Sequence, residues 1–476
     1  MSTKNTQRSN FTGKIGFILA AAGSAVGLGN IWRFPYLAAK HGGFSFILVY
    51  ILLAVTFGFC LMAAEIAIGR KTGLSALGAY AALNKKFAFV GWLTALVPVI
   101  ILPYYSVIGG WVMKYFAAFV SGNAAKTAVQ TTTDAVTGNV SLGYFDAFIT
   151  NPAEPILWFA IFLGITALVV LFGVEKGIEK VSKVMMPILV ILSVAISVYS
   201  MTRPHALDGV AYLFNPKNIG NFSIVTVLAA MGQLFYSMSI AMGIMITYGS
   251  YMKKEVNVES SVYSIEFFDM GIAFLAALMV IPAVFSSAAM QGVDPQTMLG
   301  KGPGLMFVTL PEVFNSMGIS GAVIGTVFFL LVIFAALTSS ISLMEAVVSI
   351  IVDKFKVSRK AACLICFGIS IALGIPSSLG NGIWNIDAIK NLLLGMDILS
   401  FFDFITNSVM MPIIAFITCI LIGWVIKPAA IIEEIELSGK FRAKTLFTIV
   451  IKYIAPICIL AVLCFAVAEG MGWLKV

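Results

Sequence analysis

Eleven times along the 476-residue chain, apolar residues run for about 18 or more positions, near 14–39, 44–69, 88–120, 155–172, 181–200, 221–250, 260–286, 319–352, 361–377, 391–426 and 444–472. A helix of about 20 residues crosses the hydrocarbon core of a bilayer, so the pattern predicts eleven membrane-spanning helices. Several runs are longer than a straight span needs, which predicts tilt, kinks or breaks. An odd number of spans puts the termini on opposite sides. Polar residues collect between the runs, and the longest outer segments are 121–154, 201–220, 287–318 and 378–390. The third holds Asp294-Pro295, Gly302-Pro303-Gly304 and Pro311, and reads as a structured loop rather than a strand or span.

Two runs are interrupted. Gly23-Ser24-Ala25-Val26-Gly27-Leu28-Gly29-Asn30 places three glycines, a Ser and an Asn in the middle of the first run. Tyr236-Ser237-Met238-Ser239-Ile240-Ala241-Met242-Gly243 does so more weakly in the sixth. If spans 1–5 and 6–10 are two halves, the interruptions correspond, as in transporters built from inverted repeats around a midplane site. Small residues on membrane helices also serve close helix packing, and that alternative stays open for each segment taken alone. A break is favoured physically because glycine weakens a helix and freed backbone groups in lipid need polar company. An amino acid carboxylate at a half-helix N-terminus and a sodium ion among bare carbonyls would supply it.

Composition agrees. Hydrophobic residues make up 60% and charged residues 11% of the chain, against roughly 25% charged in soluble domains. The mean hydropathy of +1.00 excludes a soluble core. With the N-terminus inside, twenty of the 30 Lys and Arg fall on the inner side; Lys40, Lys126, Arg203, Lys217, Lys301, Lys390 and Lys475 fall outside, and Arg33, Lys114 and Lys452 within spans. The net charge of +8 is therefore a topology signal and not a nucleic-acid footprint. Lys114 and Lys452 read as snorkelling or gap-filling side chains. The first run extends too far for a signal peptide. All six cysteines fall in apolar runs, and Cys363-x-x-Cys366 reads as buried hydrophobes, not a metal or redox pair. Two histidines, with no phosphate-binding Gly-Lys-Ser/Thr loop and no triad, leave little for an enzyme.

The stretch Gly23-Ser-Ala-Val-Gly-Leu-Gly-Asn-Ile-Trp-Arg-Phe-Pro-Tyr36 closely resembles the first-span signature of the neurotransmitter:sodium symporter family. Glu65-Ile-Ala-Ile-Gly-Arg70, Gln233 to Tyr251, Gly302-Pro-Gly304 and Ala335-Ala-Leu-Thr-Ser-Ser340 continue the resemblance along nearly the whole chain, to the eleven-span bacterial branch. The resemblance implies an all-α fold of leucine-transporter type, an inverted five-plus-five repeat with spans 1 and 6 unwound. The divisions are then a cytoplasmic segment 1–13, repeats 14–200 and 221–426, and an eleventh span at 444–472. It also implies a multi-pass protein of the cell inner membrane, N-terminus cytoplasmic and C-terminus outside, with the bilayer and a small amino acid as partners. No nucleic acid or obligatory protein partner is implied.

Two sodium sites follow by matching positions. The first takes the Ala25 carbonyl, Asn30, Ser237 and Asp269, with the substrate carboxylate. The second takes the Gly23, Val26 and Ala335 carbonyls with the Thr338 and Ser339 hydroxyls, hard oxygen donors suited to a hard cation. Without the resemblance, back-bonding to helix carbonyls is the favoured explanation of Thr338 and Ser339. Chloride-dependent relatives bind the anion at positions matching Tyr50, Gln233, Ser237 and a Ser that is Ala273 here. An intramembrane acid such as Asp269 is a functional candidate in its own right; beside this site it would replace the anion's charge, so chloride-independent transport is expected.

Amine-carrying relatives place Asp where this chain has Gly27, so an amino acid is expected. The resemblance assigns its carboxylate to the Leu28 and Gly29 amides and the Tyr105 hydroxyl, although Tyr105 alone also suits an interfacial or packing aromatic. Its ammonium goes to Ala25, Tyr236, Ser237 and Thr338. Its side chain goes to Ser24, Ile101, Tyr236, Ser239, Ala241, Met242, Ser339 and Leu343. That wall lacks a charge, so a neutral hydrophobic or aromatic substrate is expected; Met242 is pliable, and the Ala241 methyl narrows the pocket. Gates are expected at Arg33 and Asp403 with Gln233 outside, under a Tyr105–Tyr236 lid. Arg8, Asp353 and Tyr251 would form the inner gate, with Phe11 in place of the usual Trp. Arg8 and Asp353 also fit plain flanking charge. A proton-coupled carrier using Asp269 or Glu65, and a non-concentrating channel or sensor, are the competing readings.

Overall fold

A backbone in lipid satisfies its own N–H and C=O groups only as a helix or closed barrel, and each predicted run is helical in the structure. This is a computed structural model describing residues 10–133, 140–217, 222–299, 302–471 and 473. Among these, nine helices are long and apolar enough to cross a membrane: Phe44–Thr72, Lys85–Val120, Glu154–Leu171, Val174–Met201, Val258–Gln291, Ile319–Phe355, Arg359–Leu379, Ile398–Val425 and Lys444–Gly470. The other two runs are broken. Lys14–Ala25 and Gly29–Lys40 meet at 55°, and Ile224–Ser237 is parted from Ile244–Ser250 by a non-helical stretch.

Helix starts follow local capping. Asn257 and Ser358 accept hydrogen bonds from the Ser260 and Ala361 amides, at the heads of the seventh and ninth spans. The tenth span begins later than the apolar run from 391. Leu392 ends a short helix, Gly395 turns the chain at φ +82, and Asp397 caps the new helix through the Ser400 amide. The outer segment 287–318 is more ordered than a loop. It holds Pro295–Met298, a π-helical turn at Leu305–Thr309 and Leu310–Ser316. Phe307 stacks on Phe145 at 5.1 Å, and its carbonyl accepts the Tyr115 hydroxyl at 2.7 Å.

Short helices Ala76–Leu83, Ala206–Phe214 and Ala429–Glu436 flank the spans, and Thr132–Thr133 pairs antiparallel with Val140–Ser141. The buried interior is shared by the second, third, seventh and eighth spans and the two broken ones. Lys114 does not snorkel freely: it is ion-paired with Glu154 and lies 5.8 Å from the Tyr144 and Phe148 rings. Lys452 sits 4.7 Å over Trp424. The cysteines are unpaired.

Candidate functional site

The two breaks face each other at mid-span. Helix Lys14–Ala25 stops as Val26 turns extended (ψ 105), which frees carbonyls at the helix end. Ser339 of the eighth span points its hydroxyl among three of them, 3.4 Å from the Gly23 oxygen, 3.1 Å from Ser24 and 3.2 Å from Val26. Thr338 lies against Gly23, where an added Cβ would come within 3.1 Å of the Thr338 Cβ. Its hydroxyl bonds the Phe334 and Ala335 carbonyls, the back-bonding expected of a mid-helix Thr. The structure thus brings Gly23, Val26, Ala335, Thr338 and Ser339 together as a buried, oxygen-rich set, chemically suited to a sodium ion.

A second oxygen cluster lies across the first break. The Asp269 carboxyl accepts the Ser237 hydroxyl at 2.6 Å, the Asn30 amide at 2.7 Å and the Tyr50 hydroxyl at 3.1 Å. Asn30 also meets the Ser237 hydroxyl at 3.1 Å, and its Oδ1 accepts the Gly27 amide at 3.1 Å. An acid with three donors and 1% exposure is a paired buried group. Ala273, one turn on, contributes only a methyl. Gln233 donates to the Gly29 carbonyl at 3.0 Å, and its Oε1 has no partner among the described residues.

Between these clusters is a cavity of about 30 Å³ lined by Ser24, Ala25, Gly27, Leu28, Gly29, Asn30, Ile101, Tyr105, Tyr236, Ser237, Ser239, Met242, Ile244, Ser339 and Leu343. That volume holds little more than one water. The Leu28 amide reaches the Tyr105 hydroxyl at 3.3 Å. A Cβ on Gly27 would fall 2.7 Å from the Ser339 Oγ, and one on Gly29 would fall 2.4 Å from the Tyr236 ring, so both must be glycine for these groups to close. The Ser24 and Ser239 hydroxyls stand 3.1 Å apart on the wall.

Two expected wall residues are not there. Ala241 (φ +62) turns its amide to the Glu65 carboxyl, 2.7 Å away on the second span, and its methyl does not line the cavity. Thr338 bonds its own helix instead. Ile244 lines the wall unforeseen, because nothing in its local sequence separates it from a packing residue.

Beyond Tyr236 opens a vestibule of about 420 Å³ on the side opposite residue 10, with Arg33, Tyr104, Tyr236 and Asp403 on its wall. Arg33 lies 5.5 Å over the Tyr236 ring. Asp403 accepts the Tyr104 hydroxyl at 3.1 Å and the Asn407 amide at 2.6 Å, and it does not meet Arg33 in an ion pair. Among the described residues Tyr236 lines both vestibule and cavity, while Tyr105 lines only the cavity.

At the other face the described residues pack closely. Phe11, 1% exposed, packs on Phe17, Tyr248 and Tyr251 at 5.5–6.2 Å, filling the place expected of a larger ring. Tyr251 donates to Glu345 at 2.7 Å; Glu345 is ion-paired with Arg359 of the ninth span. Asp353 accepts the Ser75 amide at 2.9 Å. Arg8 lies outside the described residues. Sequence reasoning missed Glu345, and also Glu266, which is 1% exposed with both carboxyl oxygens unpartnered among the described residues.

Comparison with known proteins places this geometry. The family model described as the sodium:neurotransmitter symporter family matches residues 8–138 and 147–472. A sodium-dependent transporter of Bacillus subtilis, YhdH, is 33% identical over 94% of this chain and 95% of its own. One from Methanocaldococcus jannaschii is 30% identical over 96% and 90%. The rat taurine transporter, named as sodium- and chloride-dependent, is 25% identical over 89% of this chain and 72% of its own. The crystal structure of MhsT in complex with L-phenylalanine superposes with a TM-score of 0.81 at 36% identity, over 96% of this chain and all of that one. The chain belongs to the sodium:neurotransmitter symporter family and is a sodium-dependent membrane symporter of the leucine-transporter fold.

Proposed function

We propose that this symporter carries a neutral hydrophobic or aromatic amino acid with two sodium ions and without chloride, by alternating access. The observation that carries this reading is the Asp269 carboxylate held by Asn30, Ser237 and Tyr50. It supplies fixed negative charge where the chain has Ala273 rather than a hydroxyl, so an anion would be repelled and a sodium ion attracted.

The Leu28 and Gly29 amides at the head of the second half of span 1 offer donors to a carboxylate. Gly27 leaves no acid for an amine substrate. The rest of the wall, Ile101, Tyr236, Met242, Ile244 and Leu343, is uncharged, and MhsT, similar over its full length, was crystallised with L-phenylalanine. Because the cavity is small, entry requires Tyr236 and Met242 to swing from it. Residues 1–13 then face the cytoplasm of the cell whose inner membrane holds the protein, and the vestibule faces outward. Spans 1–2 and 6–7 move as one bundle against the others.

Proteoliposomes with an inward sodium gradient, offered labelled amino acids in chloride and in gluconate, test this. Phenylalanine, tyrosine, tryptophan or leucine should accumulate uphill equally in both anions. Asp269→Asn should lower apparent sodium affinity about 10- to 100-fold, the loss of one charge-assisted contact. Accumulation that needs chloride, or that follows a pH gradient in the absence of sodium, overturns the proposal.

A further inference from the structure

The inner face is fastened at a place the gates above do not include. Residues 11–13 run along it before helix Lys14–Ala25 begins. The Phe11 amide donates to the Tyr251 carbonyl at 3.1 Å. The Thr12 amide donates to Oε2 of Glu179 at 2.9 Å, and the Thr12 hydroxyl donates to Oε1 of the same carboxylate. Lys183, one turn along the fifth span, brings its Nζ to 2.6 Å from Oε1 and 3.4 Å from the Thr12 hydroxyl. Lys253, between spans 6 and 7, donates to the Thr12 carbonyl at 3.1 Å.

Glu179 is only 1% exposed although it stands at a span end. It closes a π-helical turn at Val174–Glu179, and span 1 admits it through Gly16, where a Cβ would lie 2.1 Å from Oε1. The same helix continues through buried Ser182 to Met186, whose sulfur would lie 3.4 Å from a Cβ on Gly23.

We infer that Glu179 is a positioning residue of the transport cycle: its carboxylate clasps Thr12 to the fifth span and holds the inner side shut until the clasp is released. A carboxylate accepts the N–H, O–H and ammonium donors at once, whereas an amide offers one oxygen and adds two donors that meet Thr12 donor to donor. Opening the inner side draws the start of span 1 away from span 5, so the bonds from Thr12 to Glu179 and Lys183 must break together, while the Lys253 contact stays within the moving bundle. The clasp thereby sets the balance between inner-closed and inner-open forms, and weakening it favours the open one. The inference rests on the alternating-access reading of the inner face.

The test is hydrogen exchange of the full-length protein in sodium and in potassium, beside uptake in proteoliposomes. In wild type, residues 11–25 should exchange faster in potassium. In sodium, Glu179→Gln should speed exchange there about tenfold, the effect of one lost charge-assisted contact. Half-saturating sodium should rise several-fold with maximal rate within twofold, and Glu179→Asp should restore most of both. Gly16→Ala, which pushes the carboxylate aside without removing it, should shift exchange the same way. A Glu179→Gln protein matching wild type, or a Glu179→Asp protein as altered as Glu179→Gln, overturns the clasp while leaving the cycle intact. A wild type whose inner residues ignore the change of cation overturns the alternating-access reading, and the clasp with it.

Discussion

Two acids on the seventh span, Glu266 and Asp269, lie three residues apart and so share a helix face. Their surroundings treat them oppositely. Asp269 has three donors and sits where a cation would be welcome, whereas neither oxygen of Glu266 has a partner among the described residues, although it is 1% exposed. A buried polar group left unpaired costs about 1–3 kcal/mol, and replacing it with an apolar side chain of similar shape is neutral or stabilising. Glu266→Leu should therefore keep or raise the melting temperature in detergent by a few degrees. Asp269→Asn, judged by the same thermal assay, should lose part of the extra stabilisation that sodium gives wild type. A sharp destabilisation by Glu266→Leu would show that the carboxyl holds contacts in another state of the cycle. The two acids also differed in legibility. Asp269 was marked by a family position, whereas Glu266, inside Ser264-Ile-Glu-Phe-Phe-Asp269, carried no local sign of its isolation.

At the scale of elements, the sixth span holds its break at some cost in strain. Ser239 (φ +53) and Ala241 (φ +62) occupy the left-handed region beside Gly243 (φ +73), and non-glycine residues there cost about 1–2 kcal/mol each. The Glu65 carboxyl offsets part of that by accepting the Ala241 amide. Ala241→Gly should stabilise the protein by about 1 kcal/mol in thermal unfolding. Gly243→Ala should destabilise it by at least as much, since its Cβ would also press to 3.0 Å on Ala76 and Thr94. Equal and negligible effects at both positions would mean the strain is not retained in solution. Run lengths made the spans legible because lipid leaves a backbone no alternative to helix. The first break was legible too, from three glycines within about two turns. Legibility ended where partners are distant in sequence: Thr12 and Glu179 are 167 residues apart, and Arg70 and Glu434 are 364. Charge counting placed Arg70 as a flanking cation, yet its side chain is fully buried.

That buried arginine bears on how the whole molecule divides when it moves. Its Nε donates to Glu434 Oε1 at 2.9 Å and its Nη1 to the Val256 carbonyl at 2.8 Å; Lys254 reaches the same Glu434 oxygen at 2.7 Å. Glu259 accepts the Arg442 and Ala443 amides at 3.1 and 3.0 Å, and Asn257 donates to the Ser438 carbonyl. The segment joining spans 10 and 11, with its helix Ala429–Glu436, is thus tied to the end of span 2 and the loop before span 7, all parts of the proposed moving bundle. Toward span 10 the chain continues through Lys427 (φ +67) and Pro428, which interrupt the helix and allow a hinge. The tie predicts that this helix travels with the bundle although the spans on either side of it are separate in sequence. Spin labels on exposed positions test it. The distance from Glu433 to Lys71 should stay constant when sodium replaces potassium, and that from Glu433 to Lys360 on the ninth span should change. Removing one member of a buried ion pair costs about 3–5 kcal/mol because the other is left uncompensated. Glu434→Gln should approach the lower end, since Lys254 is half exposed and can be rehydrated, and it should make the Glu433–Lys71 distance broad in both cations. A Glu433–Lys360 distance that is the constant one would place the helix with the stationary spans and make the tie a contact that opens in each cycle.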